Sequence, residues 1–453
     1  MAELKGRRFE DEFVAILKSL AGDKAGCVEG DAYLSSTNAL FHGEPCSWAI
    51  TPKIFDKRGI KILEDAALTM AKIMDKLTLL YLESESFRSI FNLGDYLNDL
   101  IASPTHYECQ IPIARVDVFF QEETGDYYFC ELNTDGSAGM VDALEVTRAI
   151  QNTETYRIFA SKHPVISSFD PVRACMDALM DVYHSWKYAS AETPTLAIVD
   201  YTESACTEEI DGFVDEFNKR GIPCRFVDIH TLRIDRVKGE KRLVDDNGPI
   251  DLVWRRAVTG ELADKPTDGT LALAEASRQG YACVVGGFRT WPCATKTIFA
   301  AMHSQEALEV LTAEERDFID KHVPLTIMLH PGDDLSRFDK REDWILKPSD
   351  GYNAKGVIAG LDCTDAEWQE ALVACAQECG IIQKYAPQYF TPCATGGKAG
   401  LSEDSNNLPL AANMEGLYLF GGRFGGVYTR CGLGHVIGEQ QGRLNMGCLV
   451  VEE

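Results

Sequence analysis

Two stretches, Ile113-Ala-Arg-Val-Asp-Val-Phe-Phe120 and Tyr127-Tyr-Phe-Cys-Glu-Leu-Asn133, joined by a polar turn containing Gly125, decide how this chain reads. Runs rich in β-branched and aromatic residues around a glycine turn predict a β-hairpin. Side chains alternate across a strand, so Arg115 and Asp117 share one face of the first strand, and Glu131 and Asn133 one face of the second. Symmetry about Thr124 sets Asp117 opposite Glu131 and Arg115 opposite Asn133. Facing carboxylates repel unless something positive lies between them. Asp117, Glu131 and the Asn133 amide oxygen, with Asp135 just beyond, make an all-oxygen set suited to Mg²⁺, which keeps positions open for phosphate. The glycines of Asn133-Thr-Asp-Gly-Ser-Ala-Gly139 favour close approach of backbone to a ligand. A solvent-facing hairpin without a metal satisfies the same spacing.

A second signal lies far downstream. Trp344-Ile-Leu-Lys-Pro348 runs into Ser349-Asp-Gly-Tyr-Asn-Ala-Lys-Gly356. Pro348 keeps Lys347 extended, and Lys347 faces away from Trp344 and Leu346. A lysine in an apolar strand must be paired or reach water. A polyphosphate is one partner; an edge-strand lysine before an ordinary turn is the alternative. The loop's free N–H groups and two glycines suit a flap over phosphates. Neither G-x-x-x-x-G-K-[ST] nor G-x-G-x-x-G occurs.

Lys296, in Ala294-Thr-Lys-Thr-Ile-Phe299, opens a helical pattern. That place is unfavourable for a lysine unless phosphate sits there, or unless the side chain is simply exposed. Arg255-Arg256 follows a buried strand, and Arg430 ends Gly425-Gly-Val-Tyr-Thr-Arg430. Either arginine site suits a clamp on carboxylate or phosphate, or a structural ion pair. His435 has no visible partner and reads as structural.

Around these signals, residues 1 to about 105 read mainly as helices, clearest from Ile60 to Leu82. Thr195–Asp200, Cys224–Asp228 and Ile250–Trp254 read as buried strands around a helix marked by Ile210, Phe213 and Phe217 and closed by Gly221. Strand–helix–strand predicts a parallel sheet, which binds ligands at its carboxyl ends. Asp343–Pro348 and Gly380–Tyr385 read as strands, and 391–409 as a mobile polar loop.

A length of 453 residues suggests two or three domains. A net charge of −26 disfavours nucleic acid and anionic membranes. The 15 cysteines include no C-x-x-C pair, which suits reduced thiols in a cytoplasmic protein. No signal core or membrane-length apolar run is present. Oligomeric state is not legible.

In these motifs the chain resembles the circularly permuted ATP-grasp ligases, in particular the glutathionylspermidine synthase-like group and, more distantly, eukaryotic-type glutathione synthetase. The resemblance covers roughly residues 110–450. It rests on Arg115-Val-Asp117 and Glu131-Leu-Asn133, on Lys347-Pro348 and the loop to Gly356, and on Lys296, Ile381-Ile-Gln-Lys-Tyr385, Gly425 to Arg430 and Trp254-Arg-Arg256. It implies an α/β (α+β) ATP-grasp fold with a parallel-sheet α/β substrate domain and N-terminal helices. The expected division is 1–110 helical, 111–190 metal-binding hairpin and helices, 191–280 substrate domain, and 281–453 lysine strand, lid and C-terminal strands.

The implied activity is ATP-dependent joining of a small-molecule carboxylate to an amine through an acyl phosphate. The implied cofactors are ATP and Mg²⁺. Asp117, Glu131 and Asn133 are expected to hold the metal. Lys296, Lys347, Ser349, Gly351, Lys355, Gly356, Gln383, Lys384 and Tyr385 are expected to hold the nucleotide, and Arg115, Arg256 and Arg430 to act on the reacting groups. The flap at 349–356 and the loop at 391–409 are the expected lids. The flap lacks the Arg-Glu-Gly element of glutathionylspermidine synthases, so Asp350 is only a candidate third carboxylate and the acid and amine stay open. A nucleotide-binding sensor without ligase activity and a phosphotransferase are the rival readings.

Overall fold

The computed structural model describes residues 4–351 and 354–452. Its largest element is an eight-stranded sheet built on the hairpin. The strands run in the order Trp48–Asp56, Leu444–Val451, Arg423–Gly432, Leu410–Phe420, Ile113–Gln121, Asp126–Asn133. Tyr389–Pro392 also pairs with Leu410–Phe420, and Val165–Ser167 with Leu444–Val451.

The hairpin register is the expected one, Arg115 opposite Asn133 and Asp117 opposite Glu131. Beyond that pair the register slips, so Val118 faces Phe129 and Cys130 is an extra residue. This bulge solves a problem that simple alternation leaves. Tyr127 and Phe129 would otherwise lie on the same face as Glu131 and Asn133. With one residue inserted, Tyr127, Phe129 and Leu132 join Ala114, Val116, Val118 and Phe120 in the core, and the acids turn the other way.

The apolar face of the hairpin packs on a long helix, Lys57–Glu83, through Leu63, Ala66, Met70, Ile73 and Leu77. Asp56 caps that helix by accepting a hydrogen bond from Gly59 N. Each Leu or Ile fully buried there is worth roughly 1.5–3 kcal/mol.

The N-terminal region carries helices Gly6–Ser19, Lys24–Leu34 and Lys57–Glu83, but it is not wholly helical. Trp48–Asp56 is a fully buried strand lying parallel to Leu444–Val451. Its Pro52 is tolerated because this strand pairs along only one side within the ordered path of the sheet.

The middle of the chain forms a four-stranded parallel sheet in the order Cys283–Val285, Leu252–Arg255, Leu196–Asp200, Cys224–Asp228. Helix Thr207–Lys219 makes the crossover, and Gly221 follows it at φ +77°. A second four-stranded sheet, antiparallel, orders Thr326–Met328, Ile381–Lys384, Trp344–Lys347 and Ile358–Ala359. Helix Asp365–Gln377 covers one face of it through Trp368 and Leu372, which meet Leu346 and Ile382. The opposite face, carrying Ile345, Lys347 and Gln383, looks toward the acidic side of the hairpin. No helix among the described residues is long and apolar enough to cross a membrane.

Candidate active site

Lys347 leaves the small sheet and reaches the large one. Its ammonium donates to Cys130 O at 2.9 Å and to Gln383 Oε1 at 2.7 Å. The bulge makes this possible, because it turns the carbonyl of the inserted residue out of the ladder. Burial pushes Lys347 down to about 8, and the neighbouring Lys296 adds to the effect. A lysine so placed is short of negative charge.

Lys296 closes the same gap from another direction. It is 4 % exposed and binds Glu131 Oε1 at 3.0 Å and Gly351 O at 2.6 Å, while its backbone N–H donates to Ser349 O at 2.7 Å. Hairpin, lysine and flap are thereby tied together. The helix expected to open at Lys296 is only the single turn Ile298–Ala301, preceded by the short helix Trp291–Ala294. So short a helix has little dipole, and the lysine acts through its own charge. Lys355, Gly356 and Asp350 are exposed, and Tyr352 and Asn353 of the expected flap lie outside the described residues.

Asp117 is fully buried at the centre of a cationic cradle. Arg115 bonds both its oxygens (2.8 and 3.2 Å), Arg430 binds Oδ2 at 2.7 Å, and Asn133 Nδ2 donates to Oδ2 at 3.0 Å. Burial opposes ionisation of Asp117, but Arg115 and then Arg430 outweigh it and hold the carboxyl below its ordinary range. Glu131 is likewise held low, Lys296 overcoming its burial.

The expected metal set therefore divides. Both oxygens of Asp117 are occupied by nitrogen donors. Glu131 Oε2 and Asn133 Oδ1 accept no hydrogen bond from the described residues and stand on one strand face. Two such oxygens fit Mg²⁺, which needs few protein ligands when phosphates supply the rest.

Of the three arginines, Arg115 and Arg430 converge on Asp117. Arg256 approaches from the parallel sheet. It is 5 % exposed and binds Glu209 Oε2 at 3.1 Å, while its Nε and Nη1 have no partner among the described residues. The other oxygen of Glu209 caps helix Met140–Gln151 by accepting from Gly139 N and Met140 N. Arg255 is structural: it pairs with the buried Asp135 and bonds the Gly286 and Ala257 carbonyls.

The inner cleft is lined by Phe119, Cys130, Ile345, Lys347, Gln383, Tyr385, Ala386, Gln388 and His435, with about 20 Å³ of free space. Gln383 and Tyr385 are there as expected. Lys384 is not: its ammonium pairs with Asp343 at 3.0 Å and lies over the Trp344 ring, on the outside of the small sheet. The 391–409 segment is also placed differently from expectation. It docks on helix Lys24–Leu34, where Asp31 accepts from Lys398 N. The loop that does reach the cleft follows Gly432. There His435 Nδ1 bonds Asp362 Oδ1 at 2.6 Å, linking the two sheets. Glu209, Gln388 and this histidine were not singled out as functional from sequence. Nothing in their local patterns marks them, because their partners are remote in the chain.

No protein-family model matches the chain, and no curated protein sequence matches it. Among solved structures it is similar to a glutathione synthetase-like effector from Globodera pallida in apo form, with TM-score 0.61, 12% identity, and coverage of 96% of this chain and 97% of that one. A putative gamma-glutamylcysteine synthetase from Methylobacillus flagellatus KT matches at TM-score 0.40 and 13% identity, over 81% and 83% of the two chains. A D-cycloserine synthetase matches at 0.28 and 13%, over 56% and 90%. The fold is mixed α/β and of the ATP-grasp type.

Proposed function

We propose that this protein is an ATP-dependent carboxylate–amine ligase that forms an amide through an acyl phosphate, with the permuted order of the glutathionylspermidine synthase-like group. The observation that carries this reading is the meeting of Glu131, Lys296 and the Ser349–Gly351 backbone beside the Lys347–Cys130 contact. An acidic ladder faces two buried lysines across a cleft between two sheets, as a metal-bound triphosphate requires.

ATP would lie with its phosphates toward Lys347 and Lys296 and its base against the Ile381–Lys384 strand, where the inner cleft, with about 20 Å³ free, would have to widen to admit a purine ring. Glu131 and Asn133 would hold Mg²⁺, which supplies charge neutralisation on the phosphates. Arg115 and Arg430, fixed by Asp117, would orient the attacking carboxylate on the γ-phosphorus. ADP leaves and an acyl phosphate remains. The amine then attacks the carbonyl carbon, loses its proton, and phosphate departs; the same guanidinium groups stabilise the oxyanion. Arg256, with two unpartnered N–H groups, would bind a further anionic part of the acid. The flap from Ser349 would exclude the water that hydrolyses acyl phosphates.

The test is ADP release across a panel of acids and amines, with mass spectrometry of the products. Glu131→Ala is expected to lower Mg²⁺-dependent ADP release by about 100-fold or more while leaving circular dichroism unchanged. Normal turnover in that variant would overturn the site. A second reading, a nucleotide-binding protein without ligase activity, is favoured by the full engagement of Asp117 and the exposure of Asp350. ATP binding without ADP release for any acid–amine pair would select it.

A further inference from the structure

Cys393 and Cys431 are free thiols whose sulfurs lie 3.6 Å apart as hydrogen-bond partners. No other two cysteine sulfurs among the described residues bond each other. Both are buried, in a small apolar niche with Ala49, Ala411 and Met446.

The two are held with unequal firmness. Cys431 lies inside the strand Arg423–Gly432, opposite Asn413 on one side and Leu444 on the other. Cys393 lies where the chain leaves the short strand Tyr389–Pro392 and crosses to Trp48–Asp56. The ties of that crossing are Ile50 N to Ala394 O at 2.9 Å, Ala394 N to Thr51 Oγ1 at 3.1 Å and Gly396 N to Trp48 O at 2.8 Å. Local opening of these bonds uncovers Cys393 while Cys431 stays in its ladder. The hydrogen bond from Cys393, and then burial, push the Cys431 thiol well above its ordinary range, so Cys431 is a poor first nucleophile.

We infer that Cys393 and Cys431 are a reversible disulfide modification site, with Cys393 attacking first and Cys431 resolving. The oxidant is a small-molecule disulfide. Cys393, as thiolate, attacks one of its sulfurs; a mixed disulfide forms, the small S–S bond breaks and one small thiolate leaves. The Cys431 thiolate then attacks the Cys393 sulfur, forms the internal S–S bond and expels the second small thiolate. The two cysteine protons end on the two released thiols, and two electrons pass from the cysteines to the small disulfide. Closure draws the sulfurs from 3.6 Å to about 2 Å. The neighbour of Cys431 in the strand is Arg430, which holds Asp117 at 2.7 Å. On the ligase reading, on which this consequence rests, a shift passed to that guanidinium slows the chemistry.

The experiment equilibrates the full chain in buffers of graded bis(2-hydroxyethyl) disulfide and 2-mercaptoethanol, alkylates the remaining thiols and maps peptides by mass spectrometry, with circular dichroism to confirm the fold. A Cys393–Cys431 cross-link is expected to rise with the disulfide ratio and to reverse with dithiothreitol. ADP release is expected to fall at least about tenfold in the cross-linked protein and to return on reduction. Cys393→Ser should keep the ADP release of the reduced protein and lose its sensitivity to the disulfide. If that variant does not fold, reversal by dithiothreitol in the unmodified protein decides. A folded protein in which these two cysteines stay unjoined at every ratio would overturn the inference. A complete cross-link with unchanged ADP release would overturn its link to Arg430. Absence of ADP release from the reduced protein would overturn the ligase reading instead, and the peptide map would still judge the disulfide.

Discussion

Lys347 shows how a single residue links sequence, burial and chemistry. Burial holds it at about 8 against an ordinary 10.5. Between those values the unfolded chain binds more protons than the folded one, so this residue makes stability rise with pH from about 8 upward. Phosphate nearby would restore the charge. Nucleotide binding should therefore take up a proton above pH 8, and affinity should fall by up to about tenfold per pH unit there. Calorimetry in buffers of different ionisation enthalpy measures this, and Lys347→Met should abolish it. The lysine itself was legible, because an apolar strand carrying one cation demands a partner. Asp117 was legible as an acid facing Glu131 across the hairpin, but neither its burial nor its company was. Arg430 comes from a strand more than 300 residues later, and no local pattern announces that approach.

Among the elements, the hairpin was the most readable, because period-two alternation fixes faces and hence pairs. Its bulge was not readable, since the inserted Cys130 has an ordinary strand side chain. The strand Leu410–Phe420 beneath it makes a sharp demand at Gly416. A Cβ there would come within 2.6 Å of Arg115 Cδ and 2.9 Å of Asp117 Oδ1. Gly416→Ala is expected to push Arg115 off Asp117, cutting ADP release at least about tenfold and costing roughly 1–3 kcal/mol of stability. Turnover assays beside denaturant titration separate the two effects. The parallel sheet was readable from its continuous apolar runs, whereas Trp48–Asp56 was hidden by Pro52, Lys53 and Asp56, which mimic a loop.

Across the whole molecule, Lys53 is the pin of a buried polar knot. It pairs with Glu10 at 3.1 Å and Glu122 at 2.8 Å, near Glu415 and under the Tyr389 ring. These groups come from the first helix, the hairpin turn and three strands of the large sheet. Burial raises Glu122 to about 7 and Glu415 to about 8, from an ordinary 4.5. The folded protein then binds more protons than the unfolded one from 4.5 upward, so stability drains as pH rises through 7 and 8. With Lys347 acting oppositely above that, a stability trough near pH 8 is expected. Glu415→Gln should make it shallower, as denaturation midpoints from pH 5 to 10 would reveal.

The pairing of Trp48–Asp56 with Leu444–Val451 also sets a timetable for synthesis. An early segment must wait, unzipped, while nearly four hundred further residues emerge from the ribosome, and such delayed long-range pairing slows folding and invites aggregation. A nascent chain halted before Leu444 is expected to stay protease-sensitive around residue 50, whereas one released past Val451 should become resistant.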